Sequence, residues 1–401
     1  MKKYIFLTHS LGGLTGNPRY VSNKLDWLNK QGWEVIAFDS TGDSNAPIEL
    51  ENLKRFTKNR IKELFYYPSW FTTKNKNRVL KKISVSIGLA DKIVIESNDM
   101  NLAIWGEQLA ELLKAKHVIF LTGEHCHVSE DDFDFFYKKY KRNELFSINV
   151  AAFKNLFSGY YDVKDGENHY WSALLGAKVE DVFDNEIENI TRKDINIGHF
   201  GREKEYFPEM INEIAGFTNK HKNKSINILF LGIKTLSAKY QSVLKQPNVT
   251  IYTIGSKNPI PESFFKKVDV VIATSGCASL AYRCGYKVIS MDVVNKRPLG
   301  VVGFTTKDTT YCSKQINDAP SLTDLIEQVI FDNRFIGDFP IQLQYDEHGF
   351  DYQIKSVLNQ DDSYVDTSAI VGKVSKYDYI LRPLVRVGLV NTVSFLRYKV
   401  Y

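Results

Sequence analysis

The chain has 401 residues, 43% of them hydrophobic and 25% charged, an ordinary globular balance that excludes an intrinsically disordered protein. Its length fits two or three domains, each able to bury a core without covalent staples. The net charge of +5 excludes a strongly acidic or strongly basic protein, and the four cysteines (Cys126, Cys277, Cys284 and Cys312) form no CxxC pair or metal spacing, as expected of reduced thiols in a cytosolic protein.

The opening Met1-Lys2-Lys3-Tyr4-Ile5-Phe6-Leu7 is basic and then apolar, but the run stops at Thr8-His9-Ser10. That is too short for the hydrophobic segment of a signal peptide, so residues 4–8 are expected as a buried first strand. A glycine-bearing loop follows, Gly12-Gly13-Leu14-Thr15-Gly16. Residues 19–31 then show helical spacing through Tyr20, Val21, Leu25 and Leu28, closed by Gly32. Residues 34–39, 92–96 and 117–122 read as further strands, with an amphipathic helix over 102–113. Strands alternating with helices of this length predict a parallel sheet with right-handed crossovers.

The stretch 178–194 is acidic and weakly patterned, and the linker is expected there. The pattern then restarts. Strands are predicted at 195–200, 226–231, 249–254, 268–273 and 287–291, and helices at 207–221, up to 244, at 280–284 and at 322–332. Beyond 340 the pattern weakens, and 377–401 places apolar residues on one side of helical turns with Arg382, Arg386 and Arg397 between them. The fold class expected is α/β: two Rossmann-like, doubly wound parallel-sheet domains with a basic amphipathic C-terminal helical tail. The first domain spans 1–190 and the second 191–345, while helices over 346–401 return to the first domain or lie on a membrane. No stretch approaches the roughly 18 uninterrupted apolar residues of a membrane span.

Ligands of open α/β sheets bind at the carboxyl ends of the strands, where loop amides and helix N-termini converge. The residues that follow each strand are therefore the candidates. After the first strand, Gly12, Gly13 and Gly16 would present bare amides to a ligand. Their spacing is neither GxGxxG nor a P-loop, and a tight turn is the plain alternative. After 117–122 comes Gly123-Glu124-His125-Cys126-His127, in which His125 could deprotonate an acceptor hydroxyl or be structural. No third ligand stands near its two histidines, so no metal is expected.

After 195–200, Gly201-Arg202-Glu203-Lys204 sets a guanidinium and an ammonium where they would bind a diphosphate and stabilise it as it leaves; a surface basic pair is the alternative. Gly232, which ends the next strand, is counted with the same donor side. After 268–273, Thr274-Ser275-Gly276-Cys277-Ala278-Ser279 precedes a helix. Its hydroxyls and amides, those of Ser275, Gly276 and Ser279, would form an anion nest, with a plain turn as the alternative.

Charge is unevenly spread. From Lys54 to Lys82 there are ten Lys/Arg and one acid, Glu63, interleaved with Phe65, Tyr66, Tyr67, Trp70 and Phe71. The tail carries Lys373, Lys376, Arg382, Arg386, Arg397 and Lys399 against Asp378 alone. Cations mixed with large aromatics suit an anionic membrane surface. They also suit nucleic acid, and a solvated face is the plain alternative. The expectation taken is the membrane, met through Lys74, Lys76, Arg78, Arg382 and Arg386, with no nucleic acid partner.

Together these pieces resemble the GT-B glycosyltransferases, especially retaining enzymes of the GT4-like group of bacterial surface polysaccharide synthesis. The resemblance covers residues 1 to about 335. It rests on Gly12-Gly13 and Gly16, on His125, on Gly201-Arg202 with Lys204, and on Val268-Asp269-Val270-Val271-Ile272-Ala273-Thr274-Ser275 leading to Gly285-Tyr286-Lys287-Val288-Ile289. It implies two domains facing each other across a nucleotide-sugar cleft. It also implies a glycine loop that meets donor and acceptor, a basic pair that holds the diphosphate, and a serine-bearing stretch that leads to donor recognition. One departure stands out. The family commonly carries two glutamates flanking that stretch, whereas 274–285 contains no acid and Leu280 stands about where the second is expected.

The activity implied is transfer of a sugar from a nucleotide diphosphate sugar to a glycan or lipid-linked acceptor near a membrane. Arg202, Lys204 and His125 would be the catalytic residues, without metal or other cofactor. The protein is expected in the cytoplasm, peripherally associated with the inner face of the cell membrane, with a homodimer left open. Two alternatives are carried: a non-catalytic GT-B subunit supporting another transferase, and a sugar-nucleotide epimerase that acts on the donor alone.

Overall fold

Strand β1 (Lys2–Thr8) is buried at every residue after its first, which only a sheet covered on both faces can demand of Tyr4, Ile5, Phe6 and Leu7 together. The computed structural model describes residues 1–11, 16–41, 56–123, 126–164, 170–171, 179–257, 259–309, 320–332, 334–341, 349–360, 363–372 and 378–390. Two compact units make up the chain, one of residues 1–176 and 346–401, the other of residues 177–345.

In the first unit, β1 is joined by β2 (Glu34–Asp39), β3 (Phe56–Arg60), β4 (Lys92–Ser97), β5 (Lys116–Leu121) and β6 (Leu145–Ser147). All six run parallel, in the order β3-β2-β1-β4-β5-β6. Helices α1 (Gly16–Lys30), α2 (Thr73–Ile87), α3 (Met100–Leu113), α4 (Glu130–Lys141) and α5 (Val150–Leu156) accompany them. Successive strand side chains point to opposite faces. Ile5, Leu7, Ile36, Phe38 and Ile95 therefore pack with Trp105 of α3 and Ile83 of α2. Tyr4, Phe6, Val35 and Val94 pack the other way, against Tyr20 and Leu25 of α1. Local chemistry sets the ends of two of these helices. Thr72 caps α2 by accepting from the Asn75 amide, Gly88 ends it at φ 66°, and Asp99 caps α3.

The second unit contains β7 (Val179–Glu180), α6 (Asn185–Glu188), β8 (Ile195–Phe200), α7 (Phe207–Lys220), β9 (Ile226–Leu231), α8 (Ala238–Leu244), β10 (Val249–Gly255) and β11 (Ile260–Pro261). It continues through α9 (Glu262–Lys266), β12 (Val270–Ala273), α10 (Ser275–Arg283), β13 (Val288–Met291), β14 (Pro298–Val301) and α11 (Leu322–Ile330). Its main sheet has the order β10-β9-β8-β12-β13-β14. Five strands are parallel and the edge strand β14 is antiparallel to β13, so the sheet is mixed at one edge.

Residues 178–194, expected to be a linker, carry structure where they are described. β7 pairs with β11, Ile187 and Ile190 are buried, and Lys267 donates to the carbonyls of Glu188 and Ile190 at 3.1 and 2.9 Å. The acidic composition that suggested a linker serves Lys257, which pairs with Asp184 at 2.8 Å and Glu186 at 2.6 Å.

After the second unit the chain rejoins the first with α12 (Gly349–Leu358) and α13 (Asp378–Arg386). The attachment of α12 is polar as well as apolar. Gln353 of α12 accepts from the ammonium of Lys24, which also meets the Glu96 carboxylate; all three side chains are buried. Tyr4 donates to the same carboxylate at 2.6 Å and Asn98 at 2.9 Å. Burial pulls the Lys24 pKa down to about 8, against the opposite pull of Glu96.

A second buried network lies under α3. Glu107 meets His117 at 2.6 Å and the ammonium of Lys139, and accepts from the Val365 amide at 2.6 Å. Burial and Lys139 push the His117 pKa down to about 4, so the ring is neutral at pH 7. Among the described residues no helix is long and apolar enough to cross a membrane.

Removing one partner of a buried ion pair strands the other charge, typically at about 3–5 kcal/mol. Lys24→Met is therefore expected to destabilise the protein by roughly that amount. Lys24→Met combined with Glu96→Gln, which removes the stranded charge, is expected to recover a large part of the loss. Urea unfolding of both variants followed by far-UV circular dichroism checks this.

Candidate active site

In each main sheet the strand order reverses once, at β1/β4 in the first unit and at β8/β12 in the second. At such a switch point the loops after the two central strands diverge and leave a crevice at the carboxyl ends, the place where open α/β sheets bind ligands.

In the second unit, Phe200 of β8 lies opposite Ala273 of β12, so Gly201 and Thr274 leave the sheet as neighbours. Three adjacent strands end in glycines in the left-handed half of backbone space: Gly201 (φ 137°), Gly232 (φ 106°) and Gly255 (φ 73°). Gly201 N–H donates to the Leu231 carbonyl at 2.9 Å, and Gly232 N–H to that of Gly255 at 2.8 Å. A Cβ on Gly232 would stand 2.5 Å from the carbonyl oxygen of Gly201, which no side chain tolerates. The Gly201 turn is thus built on Gly232, and a Cβ on Gly201 would lie 3.7 Å from Cys277 Sγ in the first turn of α10.

The loop after Gly201 carries Arg202, exposed, and Lys204, half-buried. Neither side chain has a partner among the described residues. Two other cations of this unit are tied, Lys220 to Glu327 at 2.7 Å and Arg192 to Asp269. The loop is closed behind them: Phe207 N–H donates to the Lys204 carbonyl at 2.9 Å, and buried Tyr206 meets His199 Nε2 at 3.2 Å. Burial drives the His199 pKa down to about 3, leaving a neutral ring as a prop.

On the other side of the crevice, Thr274 Oγ1 donates to the Met291 carbonyl at 2.9 Å and the Ser275 amide donates to the Thr309 carbonyl. Ser275 sits at φ 53°, a left-handed conformation costing a non-glycine residue about 1–2 kcal/mol. The helix begins at Ser275, five residues before the expected start, so its first turn, Gly276 included, stands at the crevice. Ser279 is one turn further on, nearly buried, 3.5 Å from Thr309 Oγ1. The structure therefore brings Gly201, Arg202, Gly232, Ser275 and Gly276 to one edge, while Ser279 lies deeper. Leu280 is buried in the unit's interior rather than presented at that edge.

In the first unit, Gly12, Gly13 and His125 lie outside the described residues, and Gly16 is the first residue of α1. His127 is exposed, its Nδ1 donating to the Asn155 carbonyl at 2.8 Å. The switch point there carries a histidine that the sequence reading passed over. His9, directly after β1, meets Ser40 Oγ at 2.9 Å through Nδ1 and Asn101 Oδ1 at 3.1 Å through Nε2. Asn101 donates its amide to the Leu64 carbonyl at 2.8 Å, which fixes Oδ1 toward the ring. Nε2 must then carry the hydrogen, leaving the Nδ1 lone pair to accept from Ser40. The Asp99 carboxylate stands 3.7 Å from Nε2, placed to stabilise an imidazolium. His9, Ser40 and Asp99 all directly follow strands or their first turn, so the rule that flagged His125 would have found them.

The chain has the double Rossmann-like fold of known GT-B proteins. One similar structure is S. aureus TarM in complex with UDP and an α-GlcNAc-glycerol, with 11% identity over 90% of this chain and 100% of that one and a TM-score of 0.56. A glycosyltransferase from Rickettsia africae is similar at 12% identity, 89% and 93% coverage and a TM-score of 0.54. A putative UDP-N-acetylglucosamine 2-epimerase from Listeria monocytogenes follows at 13% identity, 89% and 96% coverage and a TM-score of 0.53. At such identities the likeness is one of fold. No family model matches the chain, and no curated protein matches it in sequence.

The glycine contact yields a test. Gly232→Ala must open the Gly201 turn and is expected to cost about 1–3 kcal/mol, with a larger loss of nucleotide diphosphate affinity than a surface substitution such as Lys239→Ala. Thermal melts with and without UDP or GDP measure both effects.

Proposed function

We propose that the protein transfers a sugar from a nucleotide diphosphate sugar to a glycan acceptor near a membrane, in polysaccharide or glycoconjugate synthesis. The observation that carries this reading is the pair of cations, Arg202 and Lys204, that lack partners among the described residues, on the loop after Gly201 at the switch point of the second sheet. Cations, a helix N-terminus and hydroxyls at one strand edge are a diphosphate's chemistry. Likeness of fold to a glycosyltransferase and to a UDP-bound protein supports it.

In the step proposed, the acceptor oxygen bonds to the anomeric carbon while the bond from that carbon to the phosphate oxygen breaks. The electron pair leaves with the nucleoside diphosphate, whose charge Arg202, Lys204 and the amides near Ser275 and Gly276 offset. Ser279 lends its hydroxyl to the floor of that turn. The acceptor proton goes to solvent or to the departing diphosphate. His125 keeps its proposed acceptor-side or sugar-contacting role. Protein cations meet the leaving group in this scheme, so it calls for no metal. With Leu280 in place of an acid, and buried, donor recognition rests on hydroxyls and amides rather than on a glutamate pair, which separates the chain from the usual GT4-like pattern.

A donor screen that detects released nucleoside diphosphate is the direct test. On the preferred donor, Arg202→Ala is expected to lower kcat/KM by about 10²-fold; undiminished turnover would refute the assignment of the diphosphate site. A second reading, a sugar-nucleotide epimerase, is favoured by the likeness to the Listeria protein. It requires an isomer of the donor to accumulate without any acceptor, which proton NMR of the donor alone detects.

A further inference from the structure

We propose that α2 and the end of α13 together form one docking surface for an anionic lipid bilayer, independently of how the donor site is read. The two basic segments are far apart in sequence, and the fold joins them. Val385 and Val390 are buried in the same core as Trp70, Phe71 and Val79, and Asn75 of α2 donates to the Arg386 carbonyl at 3.2 Å. A Cβ on Gly388 would lie 3.9 Å from that same Asn75 amide.

The outer face of α2 is built for such a partner. Val79, Leu80, Ile83 and Ile87 turn inward. Lys74, Arg78, Lys81 and Val85, spaced i, i+4, i+7 and i+11, fall on a single stripe about 60° wide at 100° per residue, opposite to the buried one. Lys74, Arg78, Lys81 and Lys82 are exposed and Lys76 is half-buried. None of these five side chains, nor those of Arg382 and Arg386, has a partner among the described residues, and α2 contains no acid at all. Unpaired cations side by side repel one another, a cost that a polyanionic partner removes.

Exposed apolar side chains flank the cations and choose the class of polyanion. Val387 (70% exposed) and Leu389 (47%) stand at the α2 N-terminal end, and Val85 (71%) and Leu89 (93%) at the other. A bilayer takes up both kinds of group, headgroups meeting the cations and the acyl boundary the aliphatic side chains, whereas a nucleic acid backbone has no use for aliphatic flanks.

The experiment uses the full chain and vesicles of 70% phosphatidylcholine with 30% phosphatidylglycerol, against vesicles of phosphatidylcholine alone. Co-sedimentation with the anionic vesicles only is expected, weakening as salt rises. Each removed cation is expected to lower the partition coefficient roughly five-fold, so Lys74→Gln/Arg78→Gln/Lys81→Gln should lose about 100-fold. Val387→Asp/Leu389→Asp should weaken binding while leaving the melting curve unchanged, since both side chains are exposed. Equal binding by the triple variant, equal binding to both vesicle types, or retention of a duplex RNA in place of anionic vesicles would overturn the proposal.

Discussion

A parallel sheet covered on both faces leaves its strands almost no room for chemistry. Each polar side chain along such a strand must be neutralised inside the protein or moved to an end. This constraint shapes both units. Within the strands, Glu96 is held by Lys24, Tyr4 and Asn98, His117 by Glu107 and Ser97, and His199 is kept neutral beside Tyr206. The groups free to act on a ligand are those expelled past the carboxyl ends. Where the strand order reverses, two such ends stand next to each other. Among the described residues, His9 with Asp99 and Arg202 with Ser275 occupy positions of that kind.

Much of this was legible in the sequence because the constraint is itself a pattern. Short apolar runs such as Val270–Ala273 suit a strand buried on both sides, and a glycine directly after a strand marks a turn that favours glycine. Gly201 and Gly232 were found by that rule, and the reason for the second is a carbonyl 2.5 Å from its missing Cβ. What escaped depends on tertiary contact. β3 is Phe-Thr-Lys-Asn-Arg, an edge strand with little apolar content, and it pairs because β2 offers an open edge. Helix α2 was read only as a basic stretch, since lysines and asparagines hide the spacing of Val79, Leu80, Ile83 and Ile87. The early start of α10 was hidden by Ser275-Gly276, poor helix formers whose value lies in the turn before them. His9 was passed over because its significance comes from Ser40, Asp99 and Asn101, which lie 31, 90 and 92 residues on and become its neighbours only when β1, β2 and β4 align.

The treatment of charge separates structural from functional groups more sharply than residue type does. Lys24 and Lys139 are as cationic as Lys204, yet both are buried with carboxylates against them. Their contribution is fold specificity, including the return of the C-terminal segment, since Gln353 and Val365 attach to the same two networks. A cation with no carboxylate nearby contributes little to stability, because an exposed charge gains almost nothing from the protein around it. The cations that lack partners among the described residues at the second switch point and on α2 therefore need another explanation than folding, and a negatively charged ligand is the simplest one in each place.

The two units solve one problem with opposite chemistry. Each has a six-stranded sheet with a single reversal, yet the first presents an imidazole with a carboxylate behind it and the second presents a guanidinium, an ammonium and helix amides. An imidazole with its Nε2–H held by Asn101 and its Nδ1 against the Ser40 hydroxyl is suited to exchanging a proton, and cations beside a helix N-terminus are suited to accepting negative charge.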